Sequence, residues 1–182
     1  GGEAALLPCV ISSLIASKFA AVLEIQPENF NVLQIPELSA ATGLKMAAVA
    51  VCCGIVSILF CLALHGVSYL YSRYLKNTYL RAAAAAVLII AVTLLLGTAD
   101  YMGAGNELIQ RAIEDGKARP LAFFWKLILT ALTMRAGFRG GEIVPSLCIG
   151  ATLGCVLGQA LGLYAPLSAA AGMVALFCGV TN

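Results

Sequence analysis

The stretch RGGEIVPSLCIGATLG, residues 139–154, places two glycines, a carboxylate and a proline inside a strongly apolar region. A proline needs no N–H in the first turn of a helix, and its φ is already helical. We therefore predict that a helix begins at Pro145. Residues 140–144 then form the turn into that helix, because glycine permits positive φ and close backbone approach.

The last amides of this turn would be free, because no earlier helical turn takes the N–H groups of Glu142, Ile143 and Val144. Free amides at the positive end of a helix dipole form a site for an anion. Inside a membrane, such a site binds an anion without a full cationic side chain, which would be costly to bury. The candidate anion site comprises Gly140, Gly141, Glu142, Ile143, Val144 and Pro145.

The same stretch also fits a helix that only packs against a neighbour. Gly150, Gly154 and Gly158 are spaced by four and form a small-residue face, which lets helices approach closely in membranes. Glu142 has two interpretations as well, since it either complements the helix dipole or acts as a proton-linked or gating carboxylate. The residues of the stretch alone leave both pairs of alternatives open.

The composition of the whole chain indicates a membrane protein. Of its 182 residues, 61% are hydrophobic and 11% are charged, whereas soluble domains are about 45–50% apolar and about 25% charged. The net charge of +2 is too small to suggest a nucleic-acid partner. No HExxH motif and no serine motif partnered with a second histidine occurs, so we predict that the protein is not an enzyme.

The cysteines have neither the number nor the spacing of a disulfide framework or a zinc site. They are odd in number, lie in apolar runs and include no CxxC pair, so we interpret them as small buried apolar residues. The seven are Cys9, Cys52, Cys53, Cys61, Cys148, Cys155 and Cys178.

Apolar runs of about 20 residues can cross a bilayer as helices, and residues 4–23, 44–70 and 82–99 qualify. The linker 73–81 contains three basic residues, so the positive-inside rule places it in the cytoplasm. The acidic loop 24–37 would then face outside. The tyrosines beside the linker resemble an aromatic belt at the membrane surface, and they are Tyr69, Tyr71, Tyr74 and Tyr79.

After Asp100 the apolar runs become short. Helical spacing predicts an amphipathic helix over 106–115, capped by Asn106 and Glu107. Apolar pieces at 121–134, 145–163 and 168–180 follow, each bounded or broken by glycine or proline. Broken helices at membrane depth survive only where they are buried in protein or line a wet cavity, and they often mark a transport site.

The segment KLILTALTMRAGFRGGEIVPSLCIGATLGCVLG, residues 126–158, closely resembles the CLC family of chloride channels and proton-coupled anion antiporters. GAGNELI at 103–109 and AGMVALFCGVTN at 171–182 resemble two further motifs of that family, in the same order. The matching positions in the first segment are Lys126, Gly140, Gly141, Pro145, Ser146, Leu147, Gly150, Ala151 and Gly154.

The resemblance implies an all-α, polytopic membrane protein with tilted and broken helices and part of a CLC-like inverted-repeat architecture. It implies transport of chloride or a similar small anion, by a channel or a proton-coupled antiporter, with the amides of Glu142 and Ile143 at the ion. No cofactor is implied. The implied partners are the lipid bilayer, chloride, protons and a second copy in a homodimer, at the cell membrane. The alternative is another broken-helix secondary transporter for a different anion or solute.

Both ends of the sequence look cut, so we expect a fragment of one CLC-type transmembrane domain. Residues 1–40 would end its first half, and residues 41–182 would form much of its second half. The family often has two apolar residues where this chain has Glu142 and Ile143. An ionised acid there would repel chloride unless it pointed away, so we expect Glu142 to pair with Arg139 or Arg135 and to modulate the pathway.

Overall fold

The computed structural model describes residues 2–23, 39–138 and 140–181, and the regular secondary structure in these ranges consists of helices joined by loops, with no strand among them. The all-α prediction is therefore confirmed. The helices are α1 (Gly2–Val22), α2 (Ala40–Tyr74), α3 (Thr78–Leu96), α4 (Asn106–Ile113), α5 (Ala122–Ala136), α6 (Ile143–Ala160) and α7 (Ala165–Thr181).

The chain divides into two compact units, Gly1–Phe30 and Asn31–Asn182. Helix α1 belongs to the first unit, and helices α2–α7 belong to the second, which contains the core and the candidate site. The acidic loop expected at 24–37 lies outside the described residues.

Among the described residues, three helices are long and apolar enough to cross a membrane, namely α2, α3 and α6. Helix α2 has 35 residues and begins and ends four residues beyond the predicted limits 44–70. At 1.5 Å per residue it is about 52 Å long, which exceeds a hydrocarbon core of about 30 Å and fits a tilted span. Helix α7 is apolar but shorter.

The linker predicted at 73–81 is mostly helical. Helix α2 continues to Tyr74 and α3 begins at Thr78, so only residues 75–77 connect them. Asn77 supplies the reason for the early start of α3, because its side chain accepts a hydrogen bond from the Tyr79 N–H and caps the helix. The cytoplasmic position of this linker stays a prediction.

The core of the second unit forms where α2, α5, α6 and α7 meet. The glycine face of α6 packs directly on α7, as the spacing predicted. A Cβ added at Gly150 would lie 2.5 Å from the carbonyl oxygen of Gly172, so the two backbones are in contact. The buried core residues are Val49, Cys53, Phe60, Leu64, Leu127, Ala131, Ile149, Leu153 and Leu176.

Cations from other helices cap the carboxyl ends of α5 and α6. The Lys45 Nζ on α2 donates to the Leu161 carbonyl at 2.8 Å, just after α6. The Arg81 Nε on α3 donates to the Ala136 carbonyl at 3.1 Å, at the end of α5. Cations are favourable at these ends because the last carbonyls lack helical partners. The two bonds stabilise the carboxyl ends of α5 and α6.

Three sequence expectations are wrong in detail. Tyr71 is only 6% exposed and donates to the Leu132 carbonyl, because its position in α2 faces α5, so it is not part of a surface belt. Cys178 is exposed in the structure of this chain, whereas Cys53, Cys148 and Cys155 are buried as predicted. The N-cap of α4 is Gly105, and Asn106 is the first helical residue.

Candidate functional site

Helix α6 begins at Ile143, with Glu142 at the N-cap, so Pro145 is the third helical residue and not the first. The first turn of a helix has no intrahelical partners for its N–H groups, and proline is therefore tolerated throughout that turn. The first helical donor is Ser146, whose N–H bonds to the Glu142 carbonyl at 3.1 Å. The amides of Glu142, Ile143 and Val144 precede this bond, as predicted.

In the turn into α6, the glycine with a positive φ is not one of the two for which it was expected. The positive φ, 104°, belongs to Gly137 at the end of α5, and neither Gly140 nor Gly141 has one. Close approach applies to Gly140, because a Cβ there would lie 3.3 Å from the Sδ of Met134. Gly141 has open space around it, which leaves the amino end of α6 accessible.

A cavity of about 800 Å³ opens at this end of α6. Its walls come from α3, the loop before α4, α5, and the turn and first residues of α6. The lining is mainly apolar, and Lys126 is the one charged side chain among the described residues that line it. Five of the six predicted site residues line the cavity, and they are Gly140, Gly141, Ile143, Val144 and Pro145.

Glu142, the sixth predicted residue, is not part of that lining. Its Oε1 accepts from the Nη2 of Arg135 at 3.4 Å, and both side chains are partly exposed. This is one of the two pairings that the sequence offered, while Arg139 lies outside the described residues. The carboxylate is therefore held by a cation of α5 beside the turn.

Lys126 also lines the cavity, and the sequence, in which it is named only as a family match, does not predict this position. Its side chain is 1% exposed, and its Nζ donates to the carbonyls of Tyr101 at 3.1 Å and Gly103 at 2.6 Å. The available signal was its isolation within the apolar run AFFWKLILTALT, because an ionisable residue at membrane depth is a functional candidate.

Metal ligation has no support within residues 2–23, 39–138 and 140–181. No group of three or more His, Cys, Asp or Glu side chains in these ranges could hold a metal ion. The lone His65 is bonded through its Nδ1 to the Cys61 carbonyl of its own helix at 2.8 Å. The described lining offers a ligand the amides at the start of α6 and the amine of Lys126.

Three comparisons with known proteins indicate the same kind of protein. The sequence profile described as "Voltage gated chloride channel" matches residues 3–182. A "Chloride/fluoride channel protein" of Pseudomonas syringae pv. tomato is 27% identical over 184 residues, which cover 98% of this chain and 40% of that protein. The crystal structure of a CLC-type fluoride/proton antiporter matches with a TM-score of 0.91 and 29% identity, over 98% of this chain and 45% of that chain. This chain thus spans less than half the length of each relative.

Proposed function

Because the chain belongs to the voltage-gated chloride channel (CLC) family, we propose that the protein moves a small anion across a membrane. Members of this family are anion channels or transporters rather than enzymes, and they need no cofactor. The family resemblance drawn from the sequence and its polytopic CLC-like fold are confirmed. Membership favours this function over that of an unrelated broken-helix transporter.

One observation carries the proposal, namely the charge pattern of the cavity at the start of α6. The amides of Ile143 and Val144 belong to the first turn of that helix, and the helix dipole adds partial positive charge there. Lys126 of α5 is the one basic residue of the described lining and adds positive charge, and no carboxylate is among the described lining residues. Such a cavity favours an anion over a cation or a neutral solute.

We expect the anion to be fluoride in preference to chloride. Both relatives carry fluoride in their descriptions, and one of them is a fluoride/proton antiporter. Fluoride is the smaller ion and the stronger hydrogen-bond acceptor, so a few fixed N–H donors suit it well. Proton coupling is proposed on the likeness to the fluoride/proton antiporter. A homodimer, with each subunit holding its own pathway, is proposed on the family resemblance drawn from the sequence.

Flux measurements on the full-length protein in liposomes test this function. Liposomes loaded with potassium fluoride or potassium chloride are made leaky to potassium, and the released anion and the external pH are followed with electrodes. We expect fluoride release faster than chloride release, together with proton movement in the opposite direction to the anion. Protein-free liposomes and a gluconate load are the controls. Release no faster than in protein-free liposomes would refute the function.

A further inference from the structure

Lys126 is unusual because its ammonium group is buried without a carboxylate partner. None of the ion pairs among the described residues includes Lys126, and its Nζ instead donates to the carbonyls of Tyr101 and Gly103. Removing an ammonium group from water is costly, and hydrogen bonds to neutral carbonyls offset only part of that cost. The amine nevertheless lies inside the protein, on a residue that lines the cavity.

The loop that accepts these bonds is shaped to lie against the amine. Gly103 and Gly105 have φ values of 64° and 88°, which L side chains rarely adopt. A Cβ at Gly105 would lie 3.1 Å from both Cε and Nζ of Lys126 and 2.7 Å from the Sγ of Cys148. The backbone of residues 101–105 therefore rests directly on Lys126. Gly103 and Ala104 of this loop also line the cavity.

We propose that Lys126 is a positioning residue of the anion site. Its ammonium ties the loop 101–105 to α5, so that the loop forms a wall of the cavity whose lining includes the start of α6. Two of its three N–H donors serve the loop, and its charge raises the affinity of the cavity for an anion. This inference rests on the proposed function, and it adds a residue and a charge to the helix-terminal amides.

The test compares Lys126→Met with Lys126→Arg in the full-length protein. The methionine removes the charge and both hydrogen bonds at similar length, whereas the arginine keeps a charge and donors. We expect Lys126→Met to raise the KM for fluoride by about tenfold or more, and Lys126→Arg to stay within about threefold of the wild type. Lys45→Met is the matched control, because Lys45 also donates to a carbonyl but is not among the residues lining the cavity.

A second readout does not depend on anion transport. Hydrogen exchange at the amides of residues 101–105 should be about tenfold faster in Lys126→Met than in the wild type, and nearly unchanged in Lys126→Arg. Exchange in α4 should change less than exchange in the loop. If the wild type shows no anion flux, the proposed function is refuted. Hydrogen exchange still measures whether Lys126 holds the loop 101–105 in place.

Gly103→Ala covers the case in which Lys126→Met does not fold. It keeps the charge of Lys126 but disfavours the positive φ of the loop, with no atom within 4 Å of the added Cβ. We expect faster loop exchange with a smaller rise in KM than a loss of charge would give. The inference is overturned if Lys126→Met leaves both KM and loop exchange unchanged, if Lys45→Met raises KM equally, or if Gly103→Ala leaves loop exchange unchanged.

Discussion

At the residue scale, the structure shows which cation pairs with Glu142, whereas the sequence left Arg135 and Arg139 as alternatives. A carboxylate at the start of α6 opposes an anion if it points into the cavity, and the sequence offered two arginines that could hold it elsewhere. The distance of 3.4 Å to Arg135 shows one pairing. Residue spacing could not choose between them, because the choice depends on how the turn between α5 and α6 folds back.

Glu142→Gln tests whether this carboxylate modulates the pathway. The substitution removes a negative charge beside the amides while keeping the size of the side chain. Because the pair is partly exposed, we expect a modest effect, a KM for fluoride about two- to fivefold lower. Anion flux across a range of pH measures it, with Glu107→Gln as a control, since Glu107 pairs with Arg111 on α4. An unchanged rate and pH profile would remove Glu142 from the pathway.

At the element scale, composition and periodicity located every helix, but the ends moved by up to four residues. Interactions distant in sequence or local capping set those ends. Asn77 starts α3 early, and the cap of α4 is a glycine in a left-handed conformation. Helix α6 begins two residues before Pro145, since any position in the first turn tolerates proline. The glycine face of α6 was predicted correctly, and the structure adds that α7 is its partner.

Gly150→Ala tests the contact between α6 and α7. The added methyl group would meet the Gly172 backbone at 2.5 Å, so one helix must shift. We expect a loss of about 1–3 kcal/mol of stability, seen as a lower melting temperature in detergent. Gly54→Ala is the matched control, because Gly54 lies within α2 with nothing within 4 Å, and it should be neutral or slightly stabilising. Equal melting temperatures for both variants would contradict direct backbone packing.

At the scale of the whole molecule, the sequence indicated a membrane protein and its family, and it predicted an anion site at the amides of the α6 start, which stays a prediction. The cavity could not be predicted from the sequence. Its walls come from α3, from the loop before α4, and from α5 and α6, and Ala86 and Pro145 lie on the same lining. The contact of Lys126 with the loop before α4, and its place on the cavity lining, depend on how that loop folds against α5. The homodimer, the cytoplasmic position of the linker 73–81 and the division into halves stay predictions.

The central claim is that amides at the start of α6 hold the anion, and replacement of a single amide by an ester tests it most directly. Introducing the α-hydroxy analogue of isoleucine at position 143 of the full-length protein removes one N–H and keeps the side chain. It also weakens the Glu142 carbonyl as an acceptor, so the control is the ester at Ser146, which removes the bond to that same carbonyl.

Hydrogen bonds to charged groups are worth about 1.5–3 kcal/mol, so we expect the ester at 143 to weaken fluoride binding by about 10- to 100-fold. The ester at Ser146 should leave fluoride affinity within about threefold of the wild type. Titration calorimetry of both proteins with fluoride makes the comparison. Equal affinities in the two ester proteins would contradict an anion held by the amides of α6.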